Sequence, residues 1–409
     1  MAGFDSGLKY AARLADAFAA AGAAPVLALP TTVAPHGLGA EQIAAATDRP
    51  VTTATWAELV VRARGAAAVV PVFDGPMVQR FIRDVHGDGE GDPAAGAGIA
   101  AGPLPVFVAG YVGMALYDRV GGYLMRSLAD VVAVNSRTDL AEFSAAAAAL
   151  GLPAQSLLLC GLALLPATPA PPADGPIRSV LFTDQPTVPR TDVGRAIIWD
   201  RLAAYAAAHP DRSVVLKPRH RPTETTFHRQ RFSPEQWAAG RTLPRNLRID
   251  YAPIAGLIEA SDLVLTVSST AALEAIAAGT RVAFIADTVN DASLNPPLIA
   301  SGLLRRFDDI DADRIGVPDP AWLRDIFPDG DLPADGGASP AARVAERALH
   351  LIRSDEPRPH RAAWDSGFHT LRRVDDQLLP ARTRAARLRL TPRRAAAGLL
   401  RRILRRLDA

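Results

Sequence analysis

A chain of 409 residues has room for two domains of ordinary size, each with a sizeable core. Its 49% hydrophobic and 22% charged residues are those of a globular protein, which excludes a disordered or fibrous chain. The net charge of +2 divides unevenly: residues 381–409 carry +9 and the remainder −7, which excludes a general basic footprint for nucleic acid on the body of the protein.

In chain order, Phe4-Asp5-Ser6-Gly7 reads as a strand-to-helix loop. Only Met1, Ala2 and Gly3 precede it, so the first strand of the N-terminal domain is expected to be truncated or missing. A helix follows over 8–21 and a strand over 25–29. The apolar stretch 17–29 lacks a basic leader and reads as helix then strand, not as a signal segment. No apolar run reaches the ~18 residues that span a bilayer. Helices over 55–64, 76–85 and 140–150 alternate with strands over 67–73, 105–109, 131–135 and 156–160. Such alternation predicts parallel sheet with helices on both faces. Residues 165–176, LPATPAPPADGP, can continue neither a strand nor a helix.

The pattern then restarts with strands over 179–183, 213–217, 263–267 and 281–285 and helices over 193–208 and 271–278. The expected architecture is α/β, two Rossmann-like domains facing a cleft: 1–165, a linker 166–176, and 177–345. A helical segment 346–380 and a basic tail 381–409 follow. The stretches 86–103 and 308–340, rich in Gly, Asp, Pro and Ala, read as loops. Cys160 stands alone, so no intramolecular disulfide forms, and a reducing, cytoplasmic location fits.

The sharpest chemical signal begins at Asp262. A buried strand runs into Ser268, Ser269 and Thr270, then a short helix carrying Glu274, then Gly279. Hydroxyls and N–H groups at a helix start can hold an anion. A cap needs one hydroxyl; three in a row point to a donor-phosphate cradle. Glu274 lies one turn in, leaning back towards the helix start, and suits a donor ribose. A solvent-exposed helical glutamate is the plain alternative.

The second signal is Lys217-Pro218-Arg219-His220-Arg221-Pro222, just beyond a strand, where open α/β sheets bind ligands. Lys9 and Lys217 are the only lysines beside 43 arginines, which makes Lys217 conspicuous. Lys217, Arg219 and His220 can neutralise the charge of a departing phosphate. A solvated basic loop is the plain alternative.

Chemistry at such a site also needs a general base, usually Asp, Glu or His, and the N-terminal half offers candidates. Asp5 and Asp74 sit at strand-to-helix junctions, although either, taken alone, reads better as a helix cap. Ser6, Lys9, Gly110, Tyr111, Gly113 and Asp184 are expected to line the cleft, the glycines letting backbone approach a substrate. His220 is the remaining catalytic candidate. Asp309, Asp311 and Asp313 read as a solvated acidic loop, with a metal-binding Asp-x-Asp site as the alternative; no metal or other cofactor is expected.

Lys217-Pro-Arg-His220, followed some fifty residues later by Ser268-Ser269-Thr270 and Glu274, resembles the HP and S-S/T signatures of bacterial GT-B transferases. These include sialyltransferases, capsule polymerases and the CDP-glycerol glycerophosphotransferases of teichoic-acid synthesis. The chain also resembles a family of actinobacterial glycosyltransferases of unassigned function. The match is specific over residues 213–285, and it departs from the usual pattern in that His220 is separated from Pro222 by Arg221. The resemblance implies two Rossmann-like domains, a donor bound mainly by the C-terminal one and no catalytic metal. It puts His220 and Ser268 to Thr270 on the donor phosphate and Glu274 near the ribose.

The expected activity is sugar transfer from a nucleotide-activated donor to a cell-surface glycan or lipid-linked acceptor. A CDP-alcohol polyol-phosphate transferase and a catalytically silent nucleotide-binding scaffold are the alternatives. In the tail, Leu399, Leu400, Ile403, Leu404 and Leu407 share one helical face and Arg401, Arg402, Arg405 and Arg406 the other. That pattern predicts a helix lying on an anionic membrane surface, peripheral on its inner face. Docking on the acidic body, or dimerisation, are the alternatives.

Overall fold

The computed structural model describes residues 4–33, 37–87, 103–114, 118–185, 188–189, 191–219, 221, 232–287, 296–328 and 339–378. The basic tail and His220 lie outside the described residues. The chain divides into two units. The first comprises Met1–His36, Ala46–Leu164 and Ala338–Ala409; the second, Gly37–Ala45 and Leu165–Gly337.

In the first unit the helix Asp5–Ala20 turns Leu8, Ala11, Ala12, Ala15 and Phe18 inward at helical spacing. Strands β1 (Leu27–Pro30) and β2 (Val51–Ala54) form a two-stranded parallel sheet. Strands β3 (Ala68–Val69), β4 (Val106–Ala109), β5 (Val131–Val134) and β6 (Leu157–Leu159) form a second parallel sheet in sequence order. Among the described residues no strand precedes the first helix, and none bridges β1 to β3. β4 and β5 are buried along their whole length, as parallel strands covered on both faces must be.

The C-terminal segment was expected to leave the second domain near residue 345. It returns to the first unit from Ala338 onward. The helix Pro340–Arg353 packs on Asp5–Ala20 and on β4 and β5. Farther along, Arg358 reaches Asp130, which is fully buried, with its Nε at 2.9 Å and an Nη at 2.5 Å. Asp130 also accepts from the N–H groups of Phe107 at 2.8 Å and His360 at 3.0 Å.

The second unit is one six-stranded parallel sheet: β7 (Ser179–Thr183), β8 (Ser213–Lys217), β9 (Leu247–Ile249), β10 (Leu263–Thr266), β11 (Arg281–Ile285) and β12 (Leu304–Arg305). Its order is β12-β11-β10-β7-β8-β9. The chain therefore winds one way from β7 through β9 and the other way from β10, and the direction reverses between β7 and β10.

The stretch 165–176 is not a free linker. Ala170 and Ala173 N–H groups donate to Ala277 and Gly279 carbonyls, at 2.9 and 2.7 Å. Gly279 has φ +80°, and a Cβ there would stand 2.5 Å from the Pro171 carbonyl oxygen, so the position demands glycine. The stretch 308–340 is likewise more ordered than a loop. It holds the helix Pro320–Ile326, capped by Asp319, and most of the helix Phe307–Asp311, whose Phe307 and Ile310 are buried.

Candidate functional site

Where the winding of an open parallel sheet reverses, the two loops beyond the strand ends part and leave a crevice for a ligand. Here these are the loop after β7 and the turn after β10, which carries Ser268, Ser269 and Thr270. The three hydroxyls are not equivalent. Ser268 is buried, and both its N–H and its Oγ–H donate to Gln185 Oε1, at 3.0 and 2.9 Å. The Ser269 N–H donates to Thr266 Oγ1 at 3.3 Å, and Ser269 Oγ accepts from the Ala271 N–H at 3.3 Å. Thr270 is exposed and caps the helix with helical dihedrals but no side-chain bond. Among the described residues its N–H and Oγ1 have no partner. A cradle of three equal hydroxyls thus becomes one structural serine, one half-buried serine and one outward-facing threonine. Glu274 follows on the helix Ala271–Ala277, half-buried.

Beyond β7, Asp184, which its place at a strand end puts among the cleft candidates, is buried. It is 6% exposed and paired with Arg195, itself 2% exposed, at 2.5 Å. Burial pushes the Asp184 carboxyl up to about 6 against the pull of Arg195. Arg195 also donates to the Gln185 carbonyl at 2.6 Å, and its guanidinium lies 4.9 Å from the Trp199 ring centroid. The Asp184 N–H donates to the Lys217 carbonyl, tying this loop to β8.

The ends of β8 and β9 supply cations and an aromatic ring. Lys217 Nζ donates to the Pro218 carbonyl at 2.9 Å and stands 6.0 Å from the Tyr251 ring centroid. Arg219 is exposed. Arg221 lies over the Tyr251 ring at 4.7 Å, and the Tyr251 hydroxyl donates to Glu235. With strands about 4.8 Å apart, the ends of β8 and β10, two strands apart, are separated by about 10 Å.

Of the acceptor-side candidates, Asp74 is a helix cap. Its carboxylate accepts from the Met77 N–H at 3.0 Å at the start of the helix Gly75–His86. Asp5 opens its helix and pairs with Lys9 at 3.8 Å, both side chains about two-fifths exposed; Ser6 is half-buried beside it. Gly110 follows β4, and a Cβ on it would stand 2.5 Å from the Tyr10 hydroxyl, so its missing side chain serves packing inside the unit. Tyr111 lies under the Arg126 guanidinium at 4.1 Å and stacks on Phe143 at 5.9 Å. Asn135 Nδ2 holds the Gly113 carbonyl at 3.0 Å.

The acids of residues 308–313 have basic side chains beside them: Asp309 pairs with Arg314 at 2.8 Å and Asp313 with Arg212 at 2.7 Å, and Asp311 lies 3.5 Å from His209 Nε2. Among the described residues no three His, Cys, Asp or Glu side chains group as metal ligands. No helix among them is long and apolar enough to cross a membrane.

Sequence reasoning missed Gln185, Arg195, Thr266 and Tyr251. A polar Thr266 inside the apolar run LVLTV was a signal available for one of them; a buried arginine in an arginine-rich chain gave none.

The model of a family described as "Putative glycosyltransferase (DUF6716)" matches residues 1–333. The chain is similar to the crystal structure of a putative UDP-N-acetylglucosamine 2-epimerase from Listeria monocytogenes. The identity is 12% over 86% of this chain and 95% of that one, with a TM-score of 0.51. It is also similar to MnaA of S. aureus in a co-structure with UDP, at 13% identity over 85% and 94% of the two chains and a TM-score of 0.47. A third similar structure is the glycotransferase of kitacinnamycin, at 14% identity over 91% and 96% and a TM-score of 0.38. The Listeria structure shows the fold, two Rossmann-like α/β domains of the GT-B class. No curated protein matches the chain.

Proposed function

The chain belongs to that glycosyltransferase family, and from this premise we propose that it moves a sugar from a nucleotide-activated donor bound at the carboxyl edge of β7, β8 and β10. The observation that carries the reading is the reversal of strand order between β7 and β10, flanked by the Ser269-Thr270 turn and by Lys217. When the nucleotide leaves, negative charge grows on its phosphate oxygens. Lys217 and Arg219 supply cations on one side and Thr270 an N–H and a hydroxyl on the other; the sequence resemblance adds His220 to the phosphate ligands. Donors fixed before the reaction lower the barrier because they need not reorganise during it. Glu274 is assigned to the ribose. These cations do the work a metal would do, so activity persists in excess chelator; loss restored by magnesium or manganese would overturn that part.

For the acceptor base we favour Asp5 over Asp74, because the Asp74 carboxylate is committed to the Met77 N–H. The acceptor is a glycan or lipid-linked saccharide, brought near by the basic tail 381–409. The test is a screen of nucleotides by thermal shift, beginning with UDP. A ligand at about 100 times its dissociation constant stabilises by about 2.7 kcal/mol. Ser269→Ala and Lys217→Ala should each weaken the binding seen in the wild type while leaving the chain folded. Equal affinity in both variants removes the site.

A further inference from the structure

We propose that Gln185, held by Arg195, is a positioning residue for the donor-phosphate turn; the proposal rests on the donor reading above and deepens it.

The amide orientation follows from chemistry. The Ser268 N–H can only donate, so the Gln185 atom 3.0 Å from it is the carbonyl oxygen. The same oxygen accepts the Ser268 hydroxyl proton at 2.9 Å. Gln185 therefore joins the loop after β7 to the turn after β10 and takes both donors of Ser268 onto one atom.

Gln185 is itself held. The Arg195 guanidinium donates to the Gln185 carbonyl at 2.6 Å and to Asp184 at 2.5 Å, and it rests on Trp199. The residue before it, Asp184, is pinned to β8 through its N–H. A second, parallel tie fixes the next residue of the turn. Thr266 Oγ1, fully buried, accepts the Ser269 N–H at 3.3 Å and donates to the Thr183 carbonyl at 2.9 Å. Ser268 and Ser269 are both fastened to the end of β7, and Thr270 is the residue of the turn that faces outward. A turn fixed beforehand spends no binding energy on ordering when an anion arrives.

A mere cross-tie between strands would affect stability and nothing more. Two substitutions separate the cases. Gln185→Ala removes the acceptor and leaves two Ser268 donors without it. Gln185→Glu keeps an oxygen in the same place for both donors and adds a negative charge beside the anion site. Amide hydrogen exchange is followed over a peptide spanning 263–273, together with binding of UDP, CDP and GDP and of the matching uncharged nucleosides. Exchange at Ser268 should rise at least tenfold in Gln185→Ala and stay at the wild-type rate in Gln185→Glu. The nucleoside diphosphate that the wild type binds should weaken about tenfold or more in both variants. Its nucleoside should weaken in Gln185→Ala alone. Wild-type exchange in Gln185→Ala, or undiminished diphosphate binding in Gln185→Glu, overturns the proposal. A wild type that binds no nucleotide overturns the donor reading instead, and the exchange result still decides whether Gln185 orders the turn.

Discussion

Arg358→Ala tests how the C-terminal segment is held to the first unit. The arginine makes two bonds to Asp130, at 2.9 and 2.5 Å, and one to the Pro105 carbonyl at 2.8 Å. Truncation leaves a carboxylate of 0% exposure without its counter-charge. Breaking a buried pair from one side typically costs 3–5 kcal/mol. Two features favour the low end. Asp130 retains the Phe107 and His360 N–H groups, and the Arg358 side chain is 28% exposed, so water can enter where it was. A loss of about 3 kcal/mol is expected, which for a unit on the order of 200 residues lowers the melting temperature by roughly 6–12 °C. Scanning calorimetry of the full chain reads it. Arg358→Lys, which keeps the charge but not the two-pronged geometry, should fall between. Adding Asp130→Asn to Arg358→Ala should recover part of the loss, because the stranded charge is gone. A shift under about 2 °C in Arg358→Ala, or no recovery in the double variant, refutes the reasoning.

Gly279→Ala should destabilise the second unit by more than the ~1–2 kcal/mol of a left-handed alanine, since its Cβ also meets the Pro171 carbonyl; unchanged denaturant midpoints would contradict it. Acid should weaken the first unit through His360. This ring is 3% exposed, places Nδ1 2.6 Å from the Leu128 carbonyl and Nε2 2.9 Å from His86 Nδ1, and burial lowers its pKa below the ordinary 6.5. The unfolded chain then takes up the proton more readily than the folded one. The stability is present above about pH 6.5 and declines as pH falls below it. The melting temperature should drop between pH 6.5 and 5, less steeply in His360→Gln; parallel profiles would exclude His360 as the cause. For the tail, the full-length chain should sediment with anionic vesicles in a salt-sensitive way, and a chain ending at Pro380 should not. Equal sedimentation of the two would remove the membrane role.

Buried parallel strands are continuous apolar runs with polar ends, so β7, β8 and β11 occupy the residues their sequence predicts. β2, with Thr52 and Thr53 exposed, and the two-residue β12 carry no such run and went unread. The helices Phe307–Asp311 and Pro320–Ile326 were hidden by the acids and prolines around them, because a single buried face of a short helix leaves too few apolar positions to show a period. The cation run at Lys217 and the Ser-Ser-Thr turn were legible because chemistry-bearing residues at strand ends follow from local pattern alone. Which hydroxyl faces outward was not. Ser268 and Thr270 have the same donors and differ only in that a glutamine 83 residues away reaches one of them. Asp184 has the same history: at a strand end it reads as a cleft residue, and Arg195, from the next helix, makes it part of the interior. Local sequence determined the elements, their alternation and the places where a ligand can be met. Tertiary structure decided the partner of each polar group, because a buried donor or acceptor must be satisfied by whatever the fold brings within about 3 Å, however distant in the chain.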